Sequence, residues 1–181
     1  MRTFGDCLAN IIRLADAARD AGIQVMHCVK VVRNDALARN KNIPLYRRSD
    51  APRGPDWTPD ATPSDGSWPA PELGPDPRDI VMTRIHGMGS ATDSGVVPVL
   101  LNLGIRNVVL VGVSVNVGIL SVTMDLMNYA FEVVIPRDAI SGTPPEYVDM
   151  VVKYTLKNLA TITTTDDVLD VWSGLQPTNA G

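Results

Sequence analysis

Residues 110–125 read LVGVSVNVGILSVTMD. Leu110 to Val113 completes a nearly continuous apolar run that begins at Val108, VVLVGV, and such runs suit a parallel strand covered on both faces. Ser114 and Val115 make a turn. Asn116, a residue type strongly favoured at helix N-caps, is predicted to open a helix that continues to about Tyr129. The first N–H groups of a helix have no partner within it, and the dipole adds positive potential at that end. The amides of Val117, Gly118 and Ile119 are therefore expected to face the cleft beyond the strand, where they would favour an anion or a developing oxyanion. An ordinary strand-to-helix turn without a ligand has the same spacing.

Working outward, the same alternation recurs. Leu8, Ile11, Ile12, Leu14, Ala15 and Ala18 share one face of a predicted helix over 6–21, with Asp6 as its cap and Gly22 as its stop. A strand is expected over 23–32, IQVMHCVKVV, and another at DIVMTR, 79–84. A helix over 93–103 follows, with Thr92, Asp93 or Ser94 as cap. EVVIP, 132–136, reads as a buried strand. Pro144 and Pro145 open a helix to Leu159, and residues 160–164 and 166–171 read as a last strand and a short helix. Strands alternating with helices imply right-handed crossovers onto a mostly parallel sheet, a three-layer α/β/α domain. Ligands of such sheets sit beyond the carboxyl ends of the strands. That directs attention to residues 31–34, 84–90, 114–118, 138–143 and 164–166.

With 181 residues the chain is expected to form a single domain over 1–181. Within it the stretch 44–78 reads as a long Pro-rich loop carrying Trp57 and Trp68, with nine of the fourteen prolines; loops of that length are often functional. A net charge of −4 argues against nucleic acid and anionic membrane as partners. No membrane span or signal peptide is legible. Two cysteines, Cys7 and Cys28, are too few for a disulfide framework and read as buried, reduced thiols of a cytoplasmic protein. His27 and His86 are the only histidines and share no short-spaced motif, so no metal or other cofactor is expected. His86 lies just beyond DIVMTR, where a ligand contact or a solvent-facing loop position both fit. Asp138 reads as the cap of a local turn. The stretch GMGSATDSG lacks phosphate-loop spacing.

Taken together, DIVMTR, then LGIRNVVLVGVSVNVGILSVTMDLMNYAFEVVIPRDAIS, then TTTDDVL resemble the isochorismatase-like (cysteine) hydrolases. The preceding ANIIRLADAARDAGIQVMHCVKV fits the same pattern, so the resemblance spans about residues 8–172. It implies a catalytic Asp after a first strand, a Lys at the end of the strand matched by DIVMTR, and a Cys at the start of the helix after VVLVGV. Residue by residue, Arg84 stands at the lysine position and Gly118 at the cysteine position. The Asp-bearing strand is expected to be missing. Glycine supplies no nucleophile, and an Arg guanidinium does not transfer protons at neutral pH but can pair with a carboxylate. Gly at the cysteine position resembles the isochorismatase branch, which cleaves a vinyl ether using the Asp. The resemblance also implies a cis bond at Val113–Ser114 and a homo-oligomer.

The expectation is thus a family member with a degenerate Asp/Lys/Cys site, weak or absent hydrolysis, and small-molecule binding around Arg84, His86, Ser114, Asn116 and Val117. An active isochorismatase-type hydrolase, with Asp138 or a neighbouring chain as acid, is one alternative. A non-catalytic oligomer subunit, assembled through the Pro-rich loop, is the other.

Overall fold

A computed structural model describes residues 4–30, 40, 42–44, 69–74, 76–84, 86–92 and 94–175. Helix α1 (Phe4–Asp20) leads to strand β1 (Met26–Lys30), and β2 (Ile80–Arg84) runs parallel to it. Then come α2 (Val96–Asn102), β3 (Asn107–Val109), β4 (Gly112–Val113) and, after a π-helical turn at Val115–Ile119, α3 (Leu120–Asn128). β5 (Glu132–Pro136), β6 (Ile140–Ser141), α4 (Pro145–Tyr154), β7 (Thr161–Thr163) and α5 (Thr165–Ser173) complete the order.

All described strand pairs are parallel. β3, β5 and β7 form one sheet with β5 in the middle, and β4 pairs with β6 beyond it. Apolar side chains cover both faces. On one face Val97, Leu100, Ile119, Leu126, Val148 and Val151 of the α2–α3–α4 layer pack on Val133 and Ile135. On the other, Ile11 and Leu14 of α1 meet Val168 and Trp172 of α5 across Val109 and Val134. This is the expected three-layer α/β/α arrangement.

Among the described residues β1 pairs only with β2, and no described strand joins that pair to β3. A seam therefore divides the β1–β2 ribbon from the β3–β5–β7 sheet, and no described strand precedes α1.

Several local expectations are corrected. Asp6 lies in the first turn of α1 instead of capping it. Gly22 does end the helix, with φ +69° and the Ile23 N–H donating to the Ala18 carbonyl at 2.8 Å. The run VVLVGV is broken into two strands because Gly112 takes φ +118° and because a 3₁₀ turn, Arg137–Ala139, interrupts the neighbouring strand. The α2 cap is Gly95, with no side chain bonded to the helix end, while the Ser94 hydroxyl donates to the Ser90 carbonyl. α4 stops at Tyr154, and residues 156–158 form a separate 3₁₀ turn. Cys7 is buried as expected, but Cys28 is exposed; both thiols are free. The loop expectation for 44–78, with Trp57 and Trp68, falls mainly outside the described residues, as do residues 31–39.

Candidate active site

The carboxyl ends of the strands bring three segments to one end of the sheet. The first is the end of the β1–β2 ribbon. In its register Lys30 lies directly beside Arg84 and Cys28 beside Met82. Met26 and Met82 pack into the α2–α3–α4 core. Side chains alternate along a strand, so Cys28, Lys30 and Arg84 share that face. Two cations thus stand together at the strand ends.

Arg84 is half-buried and anchored by its terminal nitrogen. Nη1 donates to the Gly87 carbonyl at 2.8 Å and to the His86 carbonyl at 3.3 Å. Its Nε is fully buried and has no partner among the described residues. His86 thus contributes its carbonyl to the site, while its side chain is exposed. The Cys28 thiol, open to solvent yet ringed by protein, is raised in pKa by that enclosure. A hydrogen bond with Ser90 and the charge of Arg84 oppose the rise without reversing it. A neutral thiol is the resting form, which makes Cys28 a poor nucleophile.

The second segment is the loop that leaves β2. It is clamped onto α3: Thr92 donates to the Asp125 carboxylate at 3.3 Å. A Cβ on Gly89 would lie 3.0 Å from Asp125 Oδ2 and 3.0 Å from Ser121 Oγ, so a larger residue would have to push those side chains aside.

The third is the turn after β4. The Val113–Ser114 peptide is cis, as the resemblance implies. Ser114, not Asn116, precedes the helix; its backbone is extended and its side chain makes no cap bond. The Ser114 carbonyl accepts from the N–H of Val117 at 3.3 Å and of Ile119 at 3.0 Å. Two of the three amides expected to face a ligand are therefore engaged within the turn, because a π turn starts one residue after Ser114 and brings the 114 carbonyl under them. Asn116 sits inside this turn. Its Oδ1 is buried with no hydrogen-bond partner among the described residues, and it lies against Gly142, where a Cβ would come within 3.2 Å. A Cβ on Gly118 would meet only the Val113 carbonyl, at 3.6 Å, an ordinary contact.

Asp138 does not reach this end as a free acid. Its Oδ1 accepts from the Thr165 N–H at 2.8 Å and the Thr165 hydroxyl at 3.0 Å, which ties it to the first residue of α5, whose cap is Thr164. Among the described residues no three His, Cys, Asp or Glu side chains converge as a metal site. Nor is any described helix long and apolar enough to cross a membrane.

A family profile described as the isochorismatase domain matches residues 1–167. The chain belongs to the isochorismatase family. Ureidoacrylate amidohydrolase RutB of Rhizobium rhizogenes is 29% identical over 181 residues, covering 96% of this chain and 73% of that protein. An isochorismatase family protein from Burkholderia thailandensis superposes with a TM-score of 0.78 at 24% identity, over 96% of this chain and 86% of that one. A cysteine hydrolase from Pseudomonas syringae pv. phaseolicola does so at 0.80 with 17% identity, over 95% and 82%. These structural likenesses establish the fold.

Within this isochorismatase-family fold, sequence reasoning missed two members of the strand-end cluster. Lys30 joins Arg84 only through the β1–β2 register, and Cys28 faces the same side two residues earlier. The one available signal was parallel pairing of MHCVK with IVMTR. Sequence reasoning also missed the opposite end of the ribbon. There the buried Asp79 carboxylate accepts from Arg19 Nη2 at 2.6 Å and pairs with His27 Nε2 at 2.8 Å.

Proposed function

We propose that this chain binds a small molecule bearing a carboxylate and an amide-like group at the strand ends, and that it hydrolyses such a molecule weakly or not at all. The observation that carries the reading is Gly118. It stands where the resemblance places the nucleophilic cysteine, and among the described residues outside its own turn only the Val113 carbonyl comes within 4 Å of where a side chain would begin. Amide hydrolysis through a covalent intermediate needs an activated nucleophile. Gly118 has none, and the Cys28 thiol beside Arg84 is raised in pKa by burial.

Binding is supported by the groups that remain. Arg84 and Lys30 present positive charge side by side, and the buried Nε of Arg84 is a donor suited to a carboxylate oxygen. The buried Asn116 Oδ1 is an acceptor suited to an amide N–H. Leaving such buried groups unpaired costs about 1–3 kcal/mol each, so a ligand that satisfies both gains that much discrimination. A ureido acid of the kind named for the RutB relatives combines the two chemistries.

The test pairs binding with turnover. Titration calorimetry with ureidoacrylate should detect binding that Arg84→Ala weakens about tenfold or more. Assays with ureidoacrylate, isochorismate and nicotinamide should show no turnover above a buffer control. Turnover that Arg84→Ala abolishes would overturn the reading and revive an active isochorismatase-type hydrolase. Gly118→Cys should fold as stably as the parent.

A further inference from the structure

The outward face of α4 carries a stripe of exposed apolar side chains. Val148, Val151 and Val152 pin the helix to the core. On the opposite side Tyr147, Met150 and Tyr154 are 49%, 55% and 57% exposed. Large apolar side chains are costly to leave in water, and exposed aromatic and Met residues in one patch mark interaction surfaces.

The charges on the same face specify the partner. At 100° per residue, taking Met150 as the centre, Tyr147 and Tyr154 fall on one side of the exposed stripe. Glu146 and Lys153 fall on the other, and Lys157 follows in the 3₁₀ turn beyond the helix end. All three charged residues are exposed, and Lys153 lies 4.9 Å from the centre of the Tyr154 ring. The stripe therefore has an apolar column and a charged column that is acidic toward its N-terminal end and basic toward its C-terminal end. Asp149, also exposed, is already paired with Arg137 within the chain.

We propose that this face binds a second copy of the same chain, with the two α4 helices packed antiparallel about a two-fold axis through Met150. A two-fold axis perpendicular to both helices keeps each column against its own kind and reverses its direction. Glu146 then meets Lys153 of the other copy, twice, and Tyr147 meets Tyr154. A parallel two-fold pairing would swap the sides of the stripe and set the charged column against the apolar one, Glu146 against Tyr147 and Lys153 against Tyr154, so that neither charge meets an opposite one. The pattern is thus self-complementary in one orientation only, which is the requirement for an isologous contact. A stable dimer buries about 800 Å² per partner. The ten-residue α4, with Tyr147, Met150 and Tyr154 exposed, supplies the apolar centre of such a contact. This surface differs from the Pro-rich loop suggested by sequence, and its assignment is independent of the ligand reading.

Sedimentation equilibrium on the full chain tests it. The parent should be a dimer. Met150→Glu, which sets two like charges on the axis, should yield a monomer. Glu146→Lys and Lys153→Glu should each weaken dimerisation about tenfold or more, and the double exchange Glu146→Lys/Lys153→Glu should restore most of the affinity. All three positions are exposed, so circular dichroism should confirm unaltered folding. A parent that stays monomeric at high micromolar concentration would overturn the proposal. So would a dimer indifferent to Met150→Glu, or a double exchange no tighter than the single ones.

Discussion

The β3–β5–β7 sheet and the β1–β2 ribbon are held by different physics. In the sheet, Val133 and Ile135 are buried under the α2–α3–α4 layer while Val134 packs under α1 and α5, so apolar packing is continuous on both faces. In the ribbon only Val29 is fully buried, and β2 has no buried residue at all. What fastens it is polar. The Asp79 side chain is 3% exposed and accepts from Arg19, itself 8% exposed, and from His27. Arg19 also donates to the Leu73 carbonyl and the Asp16 carboxylate, both at 3.0 Å. An apolar contact degrades gradually when a methyl group is lost. An ion pair fails at once, because the surviving partner is left charged and desolvated.

That difference can be broken most sharply at Asp79. Asp79→Ala strands the Arg19 guanidinium and should cost about 3–5 kcal/mol. Hydrogen exchange should show the loss concentrated in 26–30 and 80–84, with protection in β5 much less affected. Leu126→Ala, which opens a cavity under the sheet, should cost about 2–5 kcal/mol and lower protection throughout; a uniform response to both variants would erase the distinction. Acid sharpens it without mutation. Burial works to raise the Asp79 pKa, but the hydrogen bonds from Arg19 and His27 outweigh it and hold the carboxyl below its ordinary value. A depressed native pKa contributes stability that is complete above the unfolded value and is lost as pH falls through the native one. The ribbon should therefore be fully fastened at neutral pH and loosen below about pH 4, before the sheet does, as read by exchange or by fluorescence of a probe on Cys28. The smallest effect is expected at Asp138. Asp138→Ala removes the acceptor for the Thr165 N–H and hydroxyl while the Thr164 cap stays, and should cost about 1 kcal/mol without altering ligand binding at the strand ends, as calorimetry would show.

The same division explains what the sequence made legible. EVVIP and VVLVGV announce themselves because strands buried on both faces must be apolar along their whole length. The helices that cover them show their apolar faces at three- and four-residue spacing, and Pro145 and Gly22 mark ends that backbone geometry dictates. The fold was therefore readable almost throughout. The candidate site was readable only in part. Arg84 and Gly118 were found through family resemblance, but the state of the turn was not. Asn116 looks like a cap in any single-chain reading, and only the π turn at 115–119 shows that Ser114 takes that place. The Arg19–His27–Asp79 cluster joins residues 52 and 60 positions apart. No local pattern encodes it; its one trace is that parallel pairing of Met26 with Ile80 brings Asp79 diagonal to His27.

Position 118 carries a last consequence. Glycines at 22, 104 and 112 have positive φ values, so their backbone requires them. Gly118 has no such constraint and no crowding. Folding does not select it. Some glycine codons lie a single base from cysteine, and among the described residues neither backbone conformation nor packing bars a thiol at this turn.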